Sequence, residues 1–178
     1  AVTTDGSTII ISAHLTDGKD SKTGAVYIFT KEVDGSYFET HKLLASDGVV
    51  GDHFGCNVAI TGDGSTVVVG AFGDDGKGSG SGSAYIFTKQ ADGSYSETQK
   101  LVATDGATYD YFSYSVAVSG DGTTVIVGAP YDDGKGSASG SVFIFTKETS
   151  GSYLQTQKLA PADGAGQDYF GYSVAVSA

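Results

Sequence analysis

The sequence predicts an all-β chain of four-stranded antiparallel blades, a β-propeller or an open stretch of one. Three observations predict it: self-similarity at a 58-residue period without gaps, an Asp-Gly pair between two β-rich runs in every repeat, and no helical periodicity of useful length. Asp5-Gly6, Asp63-Gly64 and Asp121-Gly122 recur at the period, as do Tyr27-Ile-Phe-Thr-Lys31, Tyr85-Ile-Phe-Thr-Lys89 and Phe143-Ile-Phe-Thr-Lys147. Residues 59–116 and 117–174 agree at 38 of 58 positions, so the repeats should share one backbone and one mode of packing.

Residues 112–160 show the elements in order. Ser115 to Ser119 reads as a first strand, Asp121-Gly122 as a two-residue hairpin turn, and Thr124 to Gly128 as a second strand. A Gly/Ser-rich loop, Tyr131 to Ser139, leads to a third strand from Gly140 to Lys147. Ser150-Gly151 then turns the chain into a fourth, Tyr153 to Leu159. The second and third strands, such as Val67 to Val69 and Tyr85 to Phe87, are apolar at successive positions and need cover on both sheet faces. Turns, not helices, join the strands, so the cover has to be the neighbouring sheet, stacked face to face. The fourth strand, Ser94 to Leu101, is mostly polar, as an outermost strand should be. Phe54, Phe112, Phe170, Val69 and Val127 are the expected core residues.

The repeat units fall at about 1–58, 59–116 and 117–174, three blade-equivalents. Residues 8–44 supply the second to fourth strands of a blade without a proper first strand, and residues 171–178 supply a first strand without its blade. Closed propellers typically hold about four to eight blades. Further repeats or neighbouring chains are therefore expected to complete the array, giving a ring or a filament. The expected assembly strand is Tyr172, Ser173, Val174, Ala175, Val176, Ser177 and Ala178, adding to residues 8–44 of a neighbour.

Composition narrows the function. The net charge of -11 arises from 17 Asp and 4 Glu against 10 Lys and no Arg, which argues against a nucleic-acid partner. Hydrophobic residues make up 39% and aromatics 11%, enough for a packed core. No apolar run approaches the roughly 20 residues that span a bilayer, so membrane insertion is not expected. The absence of any Met suggests a processed chain or a window of a longer one. A lone Cys56 forms no internal disulfide. The single Asn57 lies outside any N-x-S/T sequon, whereas the Gly/Ser loops at Ser79, Ser81, Ser137 and Ser139 are candidates for O-glycans.

Phe170-Gly171 leading into Ser173 to Val176, and Asp121-Gly122 leading into Val127-Gly-Ala-Pro130, resemble the FG-GAP repeats of integrin alpha-subunit propellers and their microbial and algal relatives. The resemblance covers the whole chain, with degenerate copies at Phe112-Ser113, Gly70-Ala-Phe72 and Ser12-Ala-His14. It implies blades of about this length and adhesion or recognition outside the cell or at its surface. It also raises calcium, because many members carry an aspartate-rich loop between the first two strands. In the matching stretch, Ala117 to Thr124, Asp121 alone survives, and calcium takes about six to eight oxygen ligands. Calcium is therefore not expected at that loop, and folding is not expected to depend on it.

The remaining metal candidates are Asp74, Asp75, Asp132 and Asp133, adjacent pairs in the loop after the second strand, for which a solvated turn is the plainer reading. A glycosidase needs two carboxylates in unlike environments, and these recur alike in each repeat. His14, His41 and His53 are confined to the first repeat, and no zinc spacing or Ser-His-Asp arrangement stands out. Cys56 reads as a packed small side chain. The expectation is a non-enzymatic extracellular structural or adhesive repeat protein that self-associates; the alternative is an integrin-like propeller binding a protein or carbohydrate, with calcium an option.

Overall fold

The computed structural model describes residues 1–177, and its strands form three antiparallel sheets. The first holds β1 (Thr8–Ala13), β2 (Ala25–Lys31) and β3 (Tyr37–Leu43). The second holds β4 (Val58–Ile60), β5 (Thr66–Ala71), β6 (Ser83–Lys89) and β7 (Tyr95–Leu101). The third holds β8 (Ser115–Val118), β9 (Thr124–Ala129), β10 (Ser141–Lys147) and β11 (Tyr153–Leu159). Each sheet is a meander in chain order, and there is no helix among the described residues. Ahead of β1, a single bridge between Val2 and Ile9 marks the tail of a first strand.

The sheets stack face to face, with β4 against β1 on one side and β8 on the other. Two apolar layers result. Val67 and Val69 of β5 join Ile10, Val26 and Ile28 in one, while Val68 joins Val116, Val125 and Val127 in the other. The continuous apolar run is thus explained: successive side chains of a strand point to opposite faces, and both faces meet a neighbour. Near the first hairpin of each repeat the layers are tied by backbone bonds, Thr4 N–H to the Gly62 carbonyl (3.0 Å) and Gly62 N–H to the Gly120 carbonyl (3.2 Å).

Three details differ from expectation. The Asp-Gly hairpin is not a two-residue turn. The last bond pairs Ser119 N–H with the Thr124 carbonyl, leaving four residues in the loop, and only Gly122 is left-handed (φ 68°) where a type I′ turn needs two such residues. Asp121 stabilises that longer loop by accepting from the Ser119 and Thr123 hydroxyls and the Thr123 N–H, and Tyr153 closes it from β11 by donating to the Gly122 carbonyl at 2.6 Å. Tyr37 and Tyr95 do the same in the other repeats. Second, every third-to-fourth strand pairing carries a bulge, between Ile28 and Phe29, Ile86 and Phe87, and Ile144 and Phe145. The extra residue is Thr40, Thr98 or Thr156, whose hydroxyl donates across to the Ile28, Ile86 or Ile144 carbonyl.

Third, Phe54 and Phe112 are buried (1% and 0% exposed), but Phe170 is 36% exposed. The backbone is placed alike in each case, with Phe54, Phe112 and Phe170 N–H donating to the carbonyls of Thr23, Ser81 and Ser139. Close approach there requires glycine: Gly82 has φ 85°, and a Cβ on it would run into the Phe112 carbonyl. The rings of Phe54 and Phe112 then enter the following sheet, edge-on to Tyr85 and Phe87 or to Phe143 and Phe145. Phe170 meets no following sheet among the described residues. For the same reason Tyr172 to Ser177 carry no strand pairing, since backbone in a strand needs a neighbouring strand; Ala178 lies outside the described residues.

Candidate functional site

The adjacent aspartates divide into two roles. Asp74 turns inward: Oδ1 accepts from Gly76 N–H (2.9 Å) and the Ser83 hydroxyl (2.6 Å), and Oδ2 accepts from Lys100 Nζ (2.8 Å). Lys100 Nζ also meets Asp47 Oδ2 at 2.6 Å, and the Tyr85 hydroxyl shares its proton between Asp47 and Asp74. Burial opposes the charge on Lys100, but the hydrogen bonds to Asp47 and Asp74 outweigh it and hold its pKa above the ordinary value. Asp132, Lys158 and Asp105 repeat the arrangement one period later, with Ser141 in place of Ser83. Asp75 and Asp133 stay exposed and accept from Gly80 and Ala138 N–H, shaping the Gly/Ser loop. At Asp74 and Asp132 the inward carboxylate is engaged by a lysine ammonium. No group of three or more His, Cys, Asp or Glu suited to a metal occurs among the described residues.

The serines divide as well. Ser81 and Ser139 are buried and accept from the N–H groups of Lys77 and Lys135, so in the folded loop Ser79 and Ser137 are the positions open to a sugar. Cys56 donates its thiol to the Ser113 carbonyl, and burial pushes its pKa up to about 12.

The aspartates of the hairpins predict the acid behaviour. The Ser7 backbone N–H and the Thr3 hydroxyl hold Asp5 at about 2, and the Ser119 hydroxyl with Thr123 holds Asp121 at about 2, against an ordinary 3.8. Groups depressed in the folded state support stability above 3.8, and that support is lost as pH falls from there towards 2. Asp52 and Asp110 act oppositely: burial raises their pKa, so the folded state gains as pH falls through those values towards 3.8. The melting temperature should therefore pass through a maximum on the acid side and then fall steeply, and Asp121→Asn should flatten the fall. An identical slope in the variant would remove Asp121 from the explanation.

The feature that single-residue reading of the sequence missed is a ledge of aromatic rings across all three repeats. His53, Tyr111 and Tyr169 occupy equivalent positions at the 58-residue period, as do Cys56, Tyr114 and Tyr172. One row runs His14, His53, Phe72, Tyr111, Tyr131, Tyr169, with neighbouring centroids 4.8–5.8 Å apart. A branch runs from Phe72 to Tyr114 (5.7 Å) and Tyr172 (4.8 Å), whose hydroxyls are joined at 2.9 Å. A cleft of about 510 Å³ lies along the branch, with Asn57 and Ser173 beside the rings, and a second of about 200 Å³ opens beside Tyr109 and Tyr111. Two of the three histidines thus belong to an aromatic surface; His41 lies elsewhere, edge-on to Tyr95. The signal was the recurrence of rings at the repeat period just before each first strand.

The FG-GAP repeat model matches residues 37–87, 95–145 and 153–178, well over half of the chain. The chain belongs to the FG-GAP repeat family. No curated protein sequence matches it. Solved structures similar to these FG-GAP repeats are propellers. The periplasmic gluconolactonase PpgL of Pseudomonas aeruginosa matches at 17% identity with a TM-score of 0.59, over 93% of this chain and 40% of that one. The WD40 repeats of RRP9 match at 16% and 0.55, over 92% and 38%. Sqt1 of Saccharomyces cerevisiae matches at 12% and 0.51, over 89% and 33%. At such identities the likeness shows the fold alone: propeller blades. The FG-GAP chain spans about two fifths or less of the length of these structures.

Proposed function

We propose that these FG-GAP blades form a non-enzymatic structural or adhesive protein, extracellular or at the cell surface, whose outer blades are covered by further blades of the same kind. The observation that carries the proposal is Phe170, 36% exposed where its equivalents Phe54 and Phe112 are buried. At the opposite boundary Ile11 of the β1 edge is half exposed. An uncovered blade face and an open strand edge favour association, which a neighbouring copy or a further repeat satisfies equally well. The location follows the family, whose repeats occur in surface proteins such as integrins.

Support for a non-enzymatic role comes from the recurring aspartates, which are engaged by lysines and loop amides, and from the protonated Cys56 thiol. The same engagement supports folding without calcium.

Sedimentation of the purified chain, with and without a chelator, tests the reading. The expected result is a species larger than one chain, indifferent to the chelator and reduced to single chains by Phe170→Asp. A single monomeric species across the concentration range would overturn self-association, and a chelator-sensitive assembly would overturn the calcium-free reading.

A further inference from the structure

We propose that the aromatic ledge is a binding platform for a neutral polysaccharide, with sugar rings stacking on Tyr109, Tyr111, Tyr114 and Tyr172. This deepens the adhesive reading and rests on it for setting, while its test is separate.

Backbone strain is the first support. His53, Tyr111 and Tyr169 have φ of 57°, 51° and 53°, and Tyr109 has 66°. Left-handed backbone is strained at such residues, and glycine would remove the strain. Core burial does not offset it, because His53 and Tyr111 are only half-buried, Tyr169 is exposed and Tyr109 is 58% exposed. Bulky rings are therefore held at strained positions on the surface in successive repeats. Hydrogen bonds fix them there: Tyr109 and Tyr111 N–H donate to the carbonyls of Ser79 and Gly80, and a Cβ on Gly80 would press on both rings. Edge-to-face packing from Phe72 through Tyr111 and Tyr131 to Tyr169 adds rigidity, so little freedom is lost when a partner binds.

Chemistry selects the partner. A sugar ring has an apolar C–H face and a polar rim, matching phenol faces edged by hydroxyls, Asn57 and Ser173. The cleft of about 510 Å³ falls within the range of small-ligand sites. Burial, with His14 nearby, lowers the pKa of His53, so its ring stacks uncharged at neutral pH. Equivalent rings recur from blade to blade, so a partner made of identical units can occupy several at once, and weak contacts then add through linkage. The net charge of -11 without arginine disfavours sulfated or uronic polymers.

Electrophoresis through gels containing hydroxyethylcellulose, mixed-linkage β-glucan, xyloglucan or galactomannan tests this, with alginate and heparin gels and an immobilised proline-rich peptide alongside. Retardation is expected in at least one neutral gel and in neither anionic gel. Tyr109→Gly and Tyr172→Ala should each weaken it roughly three- to tenfold, the loss of one stacking contact. Tyr109→Gly should at the same time keep or raise the melting temperature, because the strain goes with the ring; a purely structural ring would lower it. Retardation in no neutral gel, retardation unchanged in both variants, or retention on the peptide alone would each overturn the proposal. Sedimentation of the same samples separates the readings: loss of self-association with retardation intact refutes the assembly and leaves the platform standing.

Discussion

Replacing Phe112 with alanine should lower stability by about 3–5 kcal/mol, whereas the same change at Phe170 should lower that of the single chain by less than about 1 kcal/mol. Both sit at the same point of the repeat with the same backbone bond, to Ser81 or to Ser139. Their rings differ in surroundings. Phe112 is fully buried, 5.4 Å from the Phe143 ring and 5.9 Å from Phe145, in the layer that also holds Val116 and Val127. Truncation there removes a buried aromatic and leaves a cavity between stacked sheets that close only partly. Phe170 leaves no such cavity. Because blades couple to their neighbours through such layers, Phe112→Ala should also loosen the cooperativity of urea unfolding, seen as a reduced m-value. Equal costs at the two positions would mean that burial does not govern the Phe-Gly motif.

Strand order and blade count were legible because they depend on local signals repeated three times: Asp-Gly between apolar runs and Tyr-Ile-Phe-Thr-Lys at a fixed interval. Details that depend on one hydrogen bond were not. Nothing in the composition of β7 distinguishes Thr98 as the bulged residue, since its role follows from reaching the Ile86 carbonyl across the sheet. The size of the Asp121 loop likewise turns on Gly122 alone being left-handed. The inward turn of Asp74 was hidden because its partners lie on β6 and β7 and, through Asp47, in the preceding repeat. The ledge was in plain sight as Tyr111 and Tyr169, but neither ring stands out taken alone, and only stacking of the blades joins them into one surface.

Replacing Asp74 with alanine should lower stability by about 1–3 kcal/mol, the range for leaving a buried hydrogen-bonding group without its partner. Its side chain is 6% exposed, and its loss leaves the Ser83 hydroxyl without its acceptor inside the sheet. Asp47 faces the same lysine but is half exposed, so Asp47→Ala should cost under about 1 kcal/mol and its effect should shrink in high salt. Lys100 thus has one strong and one weak arm, although the two distances, 2.8 and 2.6 Å, would rank them the other way. Burial decides, because solvent screens the shorter contact. Double-mutant cycles with Lys100→Met isolate the arms: coupling to Asp74 should reach about 1–3 kcal/mol and coupling to Asp47 should stay below about 1 kcal/mol. In the third sheet Phe143 stands where Tyr85 stands in the second, so the Asp132 carboxylate lacks that hydroxyl donor and depends more on Lys158. Lys158→Met should accordingly be more damaging than Lys100→Met, and Tyr85→Phe should bring the two to parity. If Lys100→Met proves the costlier, the Tyr85 hydroxyl is not what relieves Asp74, and if the two couplings of Lys100 are equal, burial of the aspartate is not what ties the lysine to the sheet.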